Sequence, residues 1–116
     1  MPTIENRPMD KMKNRNQTPL DSTWGDLDDL IHSKIRLAIM TILMSAEKAQ
    51  FTYLKKLTKT TDGNLSVHLK KLEDAGYISV GKKFVDRKPQ TTCKITEKGR
   101  KAFEKYIDIL ERIIRK

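Results

Sequence analysis

The sequence predicts one small, mainly α-helical domain that carries a single β-hairpin, which is an α+β fold class. Apolar residues recur at spacings of three and four over most of the chain, and this is the period of an amphipathic helix. Two short runs rich in β-branched and aromatic residues interrupt that period, at 77–85 and 90–96. The 116 residues suffice for one domain with one modest core.

The first predicted helix spans 26–45. We expect Asp26 to cap its start, and the segment 32–34 is a point at which it can divide into a short lead-in and a main helix. The apolar residues of this segment fall on one stripe, which should face the core. They are Leu27, Leu30, Ile31, Ile35, Ala38, Ile39, Ile42 and Leu43.

Two shorter helices are predicted next, joined by a tight turn. The second helix covers 51–58, and we expect Phe51, Leu54 and Leu57 to face the core. The third helix begins after Thr61 or Asp62 and runs to about Asp74. Gly76 should then end it in the left-handed conformation that glycine tolerates.

A hairpin and a long helix complete the predicted order. The strands 77–85 and 90–96 are joined by the charged turn DRKP, and the last helix covers 97–115 with Thr96 near its cap. Two helices joined by a tight turn and followed by a hairpin form the outline of a winged helix-turn-helix. We therefore expect a winged helix-turn-helix domain.

The predicted domain occupies 23–116, and the last part of it, about 97–116, is a long terminal helix. Residues 1–22 are polar, hold three of the four prolines and show no sustained period, which predicts a disordered arm. No apolar run reaches the roughly 18 residues that span a bilayer, so no membrane partner is expected. A single cysteine, Cys93, excludes an internal disulfide, and a cytoplasmic location is the expectation.

The charge of the chain favours a polyanionic partner. There are 24 Lys+Arg against 15 Asp+Glu, a net charge of +9. Residues 55–98 alone hold eleven of these bases and five acids, an excess of six. A basic surplus confined to one stretch is typical of a binding face. Nucleic acid is the commonest partner of such a charge, an anionic membrane surface is the next commonest, and we expect nucleic acid here.

The third helix has a polar, basic face opposite its leucines. At 100° per residue Leu65, Leu69 and Leu72 share one side and should be core. Short polar side chains near the start of the other side suit entry into a major groove, and Asn64 has the donor and acceptor that match adenine. A solvated helix face is the alternative. The candidate contact residues are Asn64, Ser66, Val67, His68, Lys70 and Lys71.

The predicted hairpin tip carries more bases than a turn requires. The four are Lys82, Lys83, Arg87 and Lys88. Arginine is favoured where a minor groove narrows, so Arg87 is the candidate for that groove. A solvated loop is the alternative, but a basic hairpin adjacent to a basic helix favours duplex DNA as the partner.

Two stretches of this sequence resemble a known family. They are LDDLIHSKIRLAIMTIL, from Leu27 to Leu43, and the segment from Phe51 to Phe103 that contains TDGNLSVHLKKLEDAGY and RKPQTTCKITEKGR. They resemble winged-helix transcriptional regulators of the multiple-antibiotic-resistance (MarR) and arsenical-resistance (ArsR) types, in particular the short stand-alone branch. The resemblance implies homodimers acting on palindromic operators.

The resemblance also implies roles for individual residues. It puts Asn64, Ser66, His68 and Lys71 on the recognition helix, and it puts Arg87 and Lys88 on the wing. The helical period agrees except at His68, which falls at the edge of the core stripe. We expect a boundary position for His68, with a phosphate contact within its reach.

The last helix is more apolar than a small core requires, and its stripe continues to the chain end. Such a surface predicts a homodimer through this helix with help from the first, and packing within one chain is the alternative. The candidate dimer residues are Tyr106, Ile107, Leu110, Ile113 and Ile114.

Enzyme and metal chemistry find no support in the sequence. Cys93, His32 and His68 are far apart, whereas a tetrahedral zinc site needs about four ligands. There is no glycine-rich phosphate loop and no nucleophile motif, so no cofactor is expected, and an effector ligand is not identified. A sequence-specific DNA-binding regulator is the favoured function. The alternatives are a sequence-tolerant architectural DNA-binding protein and a protein-interaction winged helix.

Overall fold

The structure is a computed structural model and describes residues 24–115, so the arm expected at 1–22 lies outside the described residues. These residues contain four helices and a three-stranded antiparallel sheet, an α+β winged helix fold. They divide into two compact units, one of 28–106 and one of 24–27 with 107–115. In chain order the elements are α1 (Lys34–Ala46), β1 (Lys48–Gln50), α2 (Phe51–Thr58), α3 (Asp62–Asp74), β2 (Ile78–Val85), β3 (Lys88–Ile95) and α4 (Glu97–Ile114).

The first helix begins later than its apolar stripe predicts. Ser33, and not Asp26, is the N-cap of α1, and its hydroxyl accepts from the backbone N–H of Arg36 at 3.4 Å. The preceding residues form turns because the Asp28 carboxylate accepts the backbone N–H groups of Leu30 and Ile31. An aspartate that bonds its own neighbouring backbone competes with helix formation, so the lead-in is not helical.

The two helices of the helix-turn-helix have the predicted bounds. Thr61 is the N-cap of α3, with its hydroxyl 3.1 Å from the backbone nitrogen of Asn64, and Gly76 follows the helix at φ 81°. The prediction for Leu57 was wrong, because this side chain is 48% exposed while Leu54 is fully buried. A helix of eight residues has only about two turns, so its core-facing stripe is short.

The sheet has one more strand than the sequence predicts, in the order β1-β3-β2. In the added strand β1, Ala49 pairs with Cys93 of β3. The strand has only three residues, so it is too short to show an alternating pattern. The hairpin turn is also tighter than predicted, because only Asp86 and Arg87 lie between the strands. Both have positive φ, 52° and 67°, which is the geometry of a two-residue type I′ turn.

Lys88 and Pro89, expected in the turn, are therefore the first residues of β3. Strand β1 pairs with β3 only over Thr92–Lys94, so the edge of β3 at Pro89 is open on that side. A proline lacks the N–H of a ladder hydrogen bond, and an open edge is where it is tolerated.

Aliphatic side chains from the helices and the sheet form the core. Burial raises the pKa of the Cys93 thiol to about 11. Because the thiolate is the reactive form, this buried thiol is unreactive and has a structural role. Within residues 24–115, no helix is both long and apolar enough to cross a bilayer. The fully buried side chains in the unit of 28–106 include Ile31, Ile39, Met40, Leu43, Leu54, Leu65, Leu72 and Cys93.

A close contact between backbones fixes the start of α4 against the beginning of the hairpin. The Thr96 hydroxyl accepts from the Gly99 backbone N–H at 3.0 Å and donates to the Gly76 carbonyl at 2.6 Å. The Thr96 backbone N–H donates to the Tyr77 carbonyl at 3.1 Å. Thr96 therefore acts as the predicted cap of α4 and also joins that helix to the corner between α3 and β2.

Tyr77 extends this corner to the segment before α1. Its hydroxyl donates to the Asp28 carboxylate, whose other oxygen accepts the Leu30 backbone N–H at 2.8 Å. Burial, followed by the bond to Asp28, raises the pKa of Tyr77 to about 12. The neutral phenol therefore persists well above neutral pH, and the link stays intact there.

Replacing Gly99 with Ala should destabilise the protein by about 1–3 kcal/mol, because the added Cβ would overlap the Tyr77 carbonyl group. Gly63→Ala is the matched control, since a Cβ there meets nothing within 4 Å. In a helix that control should be neutral or stabilising by up to about 1 kcal/mol. Urea unfolding of both variants measures the difference, and equal stabilities would contradict the close approach.

Candidate nucleic-acid interface

Helix α3 separates its side chains into a buried and an exposed face. Leu65, Leu69 and Leu72 are at most 4% exposed and attach the helix to the core. The opposite face is open to solvent, and Val67 is 55% exposed on it. The exposed residues include Asn64, Ser66, Val67, Lys70 and Lys71. The division agrees with the helical period, so a partner of suitable shape has access to these side chains.

Two lysines on or beside this face form exposed ion pairs with nearby aspartates. Lys70 Nζ lies 3.4 Å from the Asp74 carboxylate, and both side chains are mostly exposed. Lys55 Nζ lies 2.8 Å from the Asp62 carboxylate at the start of α3. Exposed pairs of this kind contribute little to stability. Exchanging a carboxylate for a phosphate on these lysines therefore costs little.

His68 lies at the boundary of the core, as its position at the edge of the stripe predicts, and it contacts Arg36. Its Nδ1 is 2.9 Å from a terminal guanidinium nitrogen of Arg36, whose Nε donates to the Leu30 carbonyl at 2.6 Å. A guanidinium only donates, so Nδ1 accepts and the ring is neutral. The contact orients α3 relative to α1. The sequence did not reveal Arg36 because no local pattern links positions 32 residues apart.

The four hairpin bases are all exposed but do not share one face. Register pairs Lys82 with Thr91 and Lys83 with Gln90. Alternate residues of a strand point to opposite sides, so Lys82 shares the side of the core-facing Ile78, and Lys83 takes the other side. Lys88 pairs with Val85 on that outer side, and Arg87 lies in the turn itself.

A groove of about 430 Å³ lies between α3 and the hairpin. Helix α3 contributes Ser66, Lys70 and Glu73 to its lining, and the hairpin contributes Lys82 and Thr91. The structure thus brings together Lys82 and the recognition-helix candidates Ser66 and Lys70. Lys83 does not line this groove but lines a second one, which Lys82 also borders.

This second groove, of about 790 Å³, lies on the outer face of the sheet. Lys48 of β1 and Tyr53 of α2 line it together with Lys83. The sequence analysis did not identify Lys48 and Tyr53, because β1 forms one side of this groove and was not predicted. Among the residues that the structure describes, no cluster of His, Cys, Asp and Glu could hold a metal ion.

Protonation of His68 should lower the stability of the protein. Burial first, then the charges of Arg36 and Lys71, lower the pKa of His68 below 6.5, the value of an unperturbed ring. The unfolded chain therefore binds the proton more readily. Stability that is present above pH 6.5 is lost as the pH falls through the lower pKa of the folded state.

The test compares wild type with His68→Gln, whose amide oxygen still accepts from Arg36 but does not titrate. Chemical unfolding on both sides of pH 6.5 should show a larger loss for the wild type in acid. Parallel pH profiles of the two proteins would contradict this role of His68.

Comparison with known proteins identifies similar chains. A protein of Methanocaldococcus jannaschii, "Uncharacterized protein MJ0432", is 42% identical over 78 residues, which cover 67% of this chain and 85% of that protein. A transcriptional regulator homologue from Pyrococcus horikoshii has a similar solved structure, with a TM-score of 0.74 and 29% identity, covering 83% of this chain and 93% of its own.

A MarR family transcriptional regulator from Silicibacter pomeroyi shares the fold at 15% identity and a TM-score of 0.59, covering 81% of this chain and 62% of its own. At this identity the likeness shows that the two chains share a fold. The family of winged helix DNA-binding domains named HTH_34 matches residues 35–114, from α1 to the end of α4. Because this match spans more than half of the 116 residues, the chain belongs to the family of winged helix DNA-binding domains.

Proposed function

We propose that this protein is a transcriptional regulator that binds specific double-stranded DNA sequences as a homodimer. The observation that carries the proposal is the shared groove of Ser66, Lys70 and Lys82. In this groove the exposed face of the recognition helix lies next to Lys82, the first basic side chain of the hairpin. The major groove of a DNA duplex is about 12 Å wide, which is wide enough to admit an α-helix such as α3.

Affinity and specificity come from different residues in this proposal. Lys70, Lys71, Lys82 and Lys88 bind phosphates, which supplies affinity for any duplex. Asn64 and Ser66 lie in the first half of α3 and read base edges, with Asn64 suited to the donor and acceptor of adenine. Phosphate contacts position the helix, and base contacts select the sequence.

Several basic side chains of the proposed interface are unpaired within the part of the chain that the structure describes, residues 24–115. Lys82, Lys83, Arg87 and Lys88 make no ion pair with another described residue. Their charges therefore remain available to an external polyanion. Lys71 is exposed on α3 without such a pair among the same residues.

The end of α4 supports dimerisation. Ile114 is 72% exposed, and Ile107, Leu110 and Ile113 are partly exposed within one chain. An apolar strip at the end of a helix is stabilised when a second copy covers it. Tyr106 does not contribute surface to this strip, because it is only 2% exposed and its hydroxyl lies 2.7 Å from His32 Nδ1. The proposed interface therefore starts at Ile107.

Binding to duplex DNA should depend steeply on salt. Duplexes that the wild type selects from a random library serve as the specific probe, and unselected duplexes serve as the comparison. Log affinity should fall linearly with log salt, by about 0.9 for each phosphate neutralised. Fluorescence anisotropy over a salt series measures both the slope and the preference for selected sequence.

Three variants separate the roles within the same titration. Asn64→Ala should lose about 1–3 kcal/mol of preference for the selected duplex. Arg87→Gly suits the positive φ of the turn, so it should reduce affinity for every duplex and lower the salt slope without destabilising the fold. Lys101→Ala is the control, because it removes the same charge from an exposed position on α4, outside helix α3 and the hairpin.

The outcomes distinguish the candidate functions. Equal affinity for selected and unselected duplexes would indicate a sequence-tolerant architectural protein. Absence of binding even at low salt would leave a protein-interaction winged helix. An unchanged preference in Asn64→Ala would remove the base-reading role from α3.

Dimerisation should depend on the last turns of α4. Leu110→Asp combined with Ile113→Asp would bury charge in the proposed contact, where an unpaired charge is costly. Light scattering should show a monomer, operator affinity should fall, and the helical circular dichroism spectrum should remain. Glu111→Asp is the control, since it changes an exposed acid of the same turn and keeps its charge.

A dimer also predicts the form of the selected DNA. Two recognition helices related by a two-fold axis sit about one helical turn apart, roughly 34 Å, so the selected sequence should be an inverted repeat. A wild-type monomer that binds its selected duplex tightly would contradict the dimer and leave the winged helix assignment unchanged.

A further inference from the structure

The tip of the hairpin carries an aromatic side chain that the fold does not use. Phe84 is 76% exposed, a larger exposed fraction than that of any other large apolar side chain in residues 24–115. An exposed ring is not stabilised by the core, and aromatic side chains are enriched where partners bind. Its surroundings indicate what that partner is.

The register puts Phe84 on the side of the hairpin that faces α3. Val80, Lys82 and Phe84 alternate along the inner side of β2, and Lys82 already lines the groove with Ser66 and Lys70. Phe84 lies two residues beyond Lys82, about 7 Å further toward the tip. It therefore extends the surface that contains the recognition helix.

Pro89 lies opposite Phe84 on the neighbouring strand. Phe84 and Pro89 are register partners, one step from the turn-flanking pair of Val85 and Lys88. Beside a two-residue turn the flanking pair is hydrogen bonded, so the next pair is not, and its Cα atoms approach to about 4.5 Å. The tip thus presents Phe84 and Pro89 on one side and Val85 on the other.

The charges around this apolar edge favour a polyanion over a second protein surface. From Lys82 to Lys88 there are four bases and one acid, Asp86. An apolar ring surrounded by cations matches the minor groove of a duplex, where deoxyribose and base edges lie between two phosphate strands. The inference rests on the proposed function, since it requires α3 to contact the same duplex.

We propose that Phe84 is an apolar wedge that enters the minor groove beside the major groove occupied by α3, and that it partly unstacks a base step there. The phosphodiester strand that separates the two DNA grooves lies against Lys70 and Lys82, two cations in the lining of a groove that also contains Asp62 and Glu73. A side chain further toward the tip lies beyond that strand, on its minor-groove side. Wedges of this kind kink DNA, most readily at flexible pyrimidine–purine steps.

A wedge differs from a phosphate contact in its dependence on salt. Apolar contact and stacking displace no counterions, whereas each lysine–phosphate contact releases them. Loss of the wedge should therefore lower affinity equally at every salt concentration. Loss of Arg87 should instead flatten the salt dependence.

The experiment uses the full chain and the duplex selected by the wild type, with 2-aminopurine placed at successive positions to report unstacking. Wild type should raise the fluorescence at one step in each half-site, and Phe84→Ala should abolish this signal and weaken binding about tenfold with an unchanged salt slope. Phe84→Leu retains an apolar wedge and should restore most of the affinity. Val85→Ala is the matched control, because it removes an apolar side chain from the other side of the same tip.

Two results would overturn the wedge while leaving DNA binding intact. One is a Phe84→Ala variant that binds and unstacks DNA as the wild type does. The other is a Phe84→Ala variant that changes the oligomeric state by light scattering, since the ring would then cover a second copy. If the wild type binds no duplex at all, both the proposed function and the wedge fail.

Discussion

The orientation of the hairpin relative to the recognition helix depends on one tightly packed corner. Thr96 bonds the backbones on both sides of that corner, through Gly76 and Tyr77, and Gly99 lets α4 approach the Tyr77 carbonyl without a Cβ in between. The Tyr77 hydroxyl extends the corner to Asp28. Because α3 ends and β2 begins here, a shift of the corner would change the width of the groove that we assign to the phosphate strand.

Helix α3 is held by few interactions, which leaves most of its surface accessible to a partner. Three leucines attach it to the core, and the contact from Arg36 to His68 sets it against α1. Neither uses the exposed face. A short helix anchored by one apolar stripe can therefore present polar side chains to DNA at little cost to the fold.

The hairpin tip combines a strained backbone with exposed side chains. Asp86 and Arg87 adopt positive φ without being glycine, although glycine would fit both positions with less strain. Strain of this kind concentrates at functional sites. The exposed Phe84 in the same hairpin belongs to the same pattern, because stability alone explains neither the backbone of Asp86 and Arg87 nor the exposure of Phe84. At the tip, the residues that would best stabilise the fold differ from those that the proposed DNA contact requires.

The sequence by itself determined the element types, the leucine face of α3, the Thr96 cap and the basic character of helix and hairpin, because helical period, capping and charge are local properties. It did not determine the short strand β1, the start of α1 at Ser33, the exposure of Leu57 or the contact of Arg36 with His68. Nor did it decide which wing lysine faces α3. Those features depend on register and on pairs distant in sequence, and only the tertiary structure selects among the local alternatives.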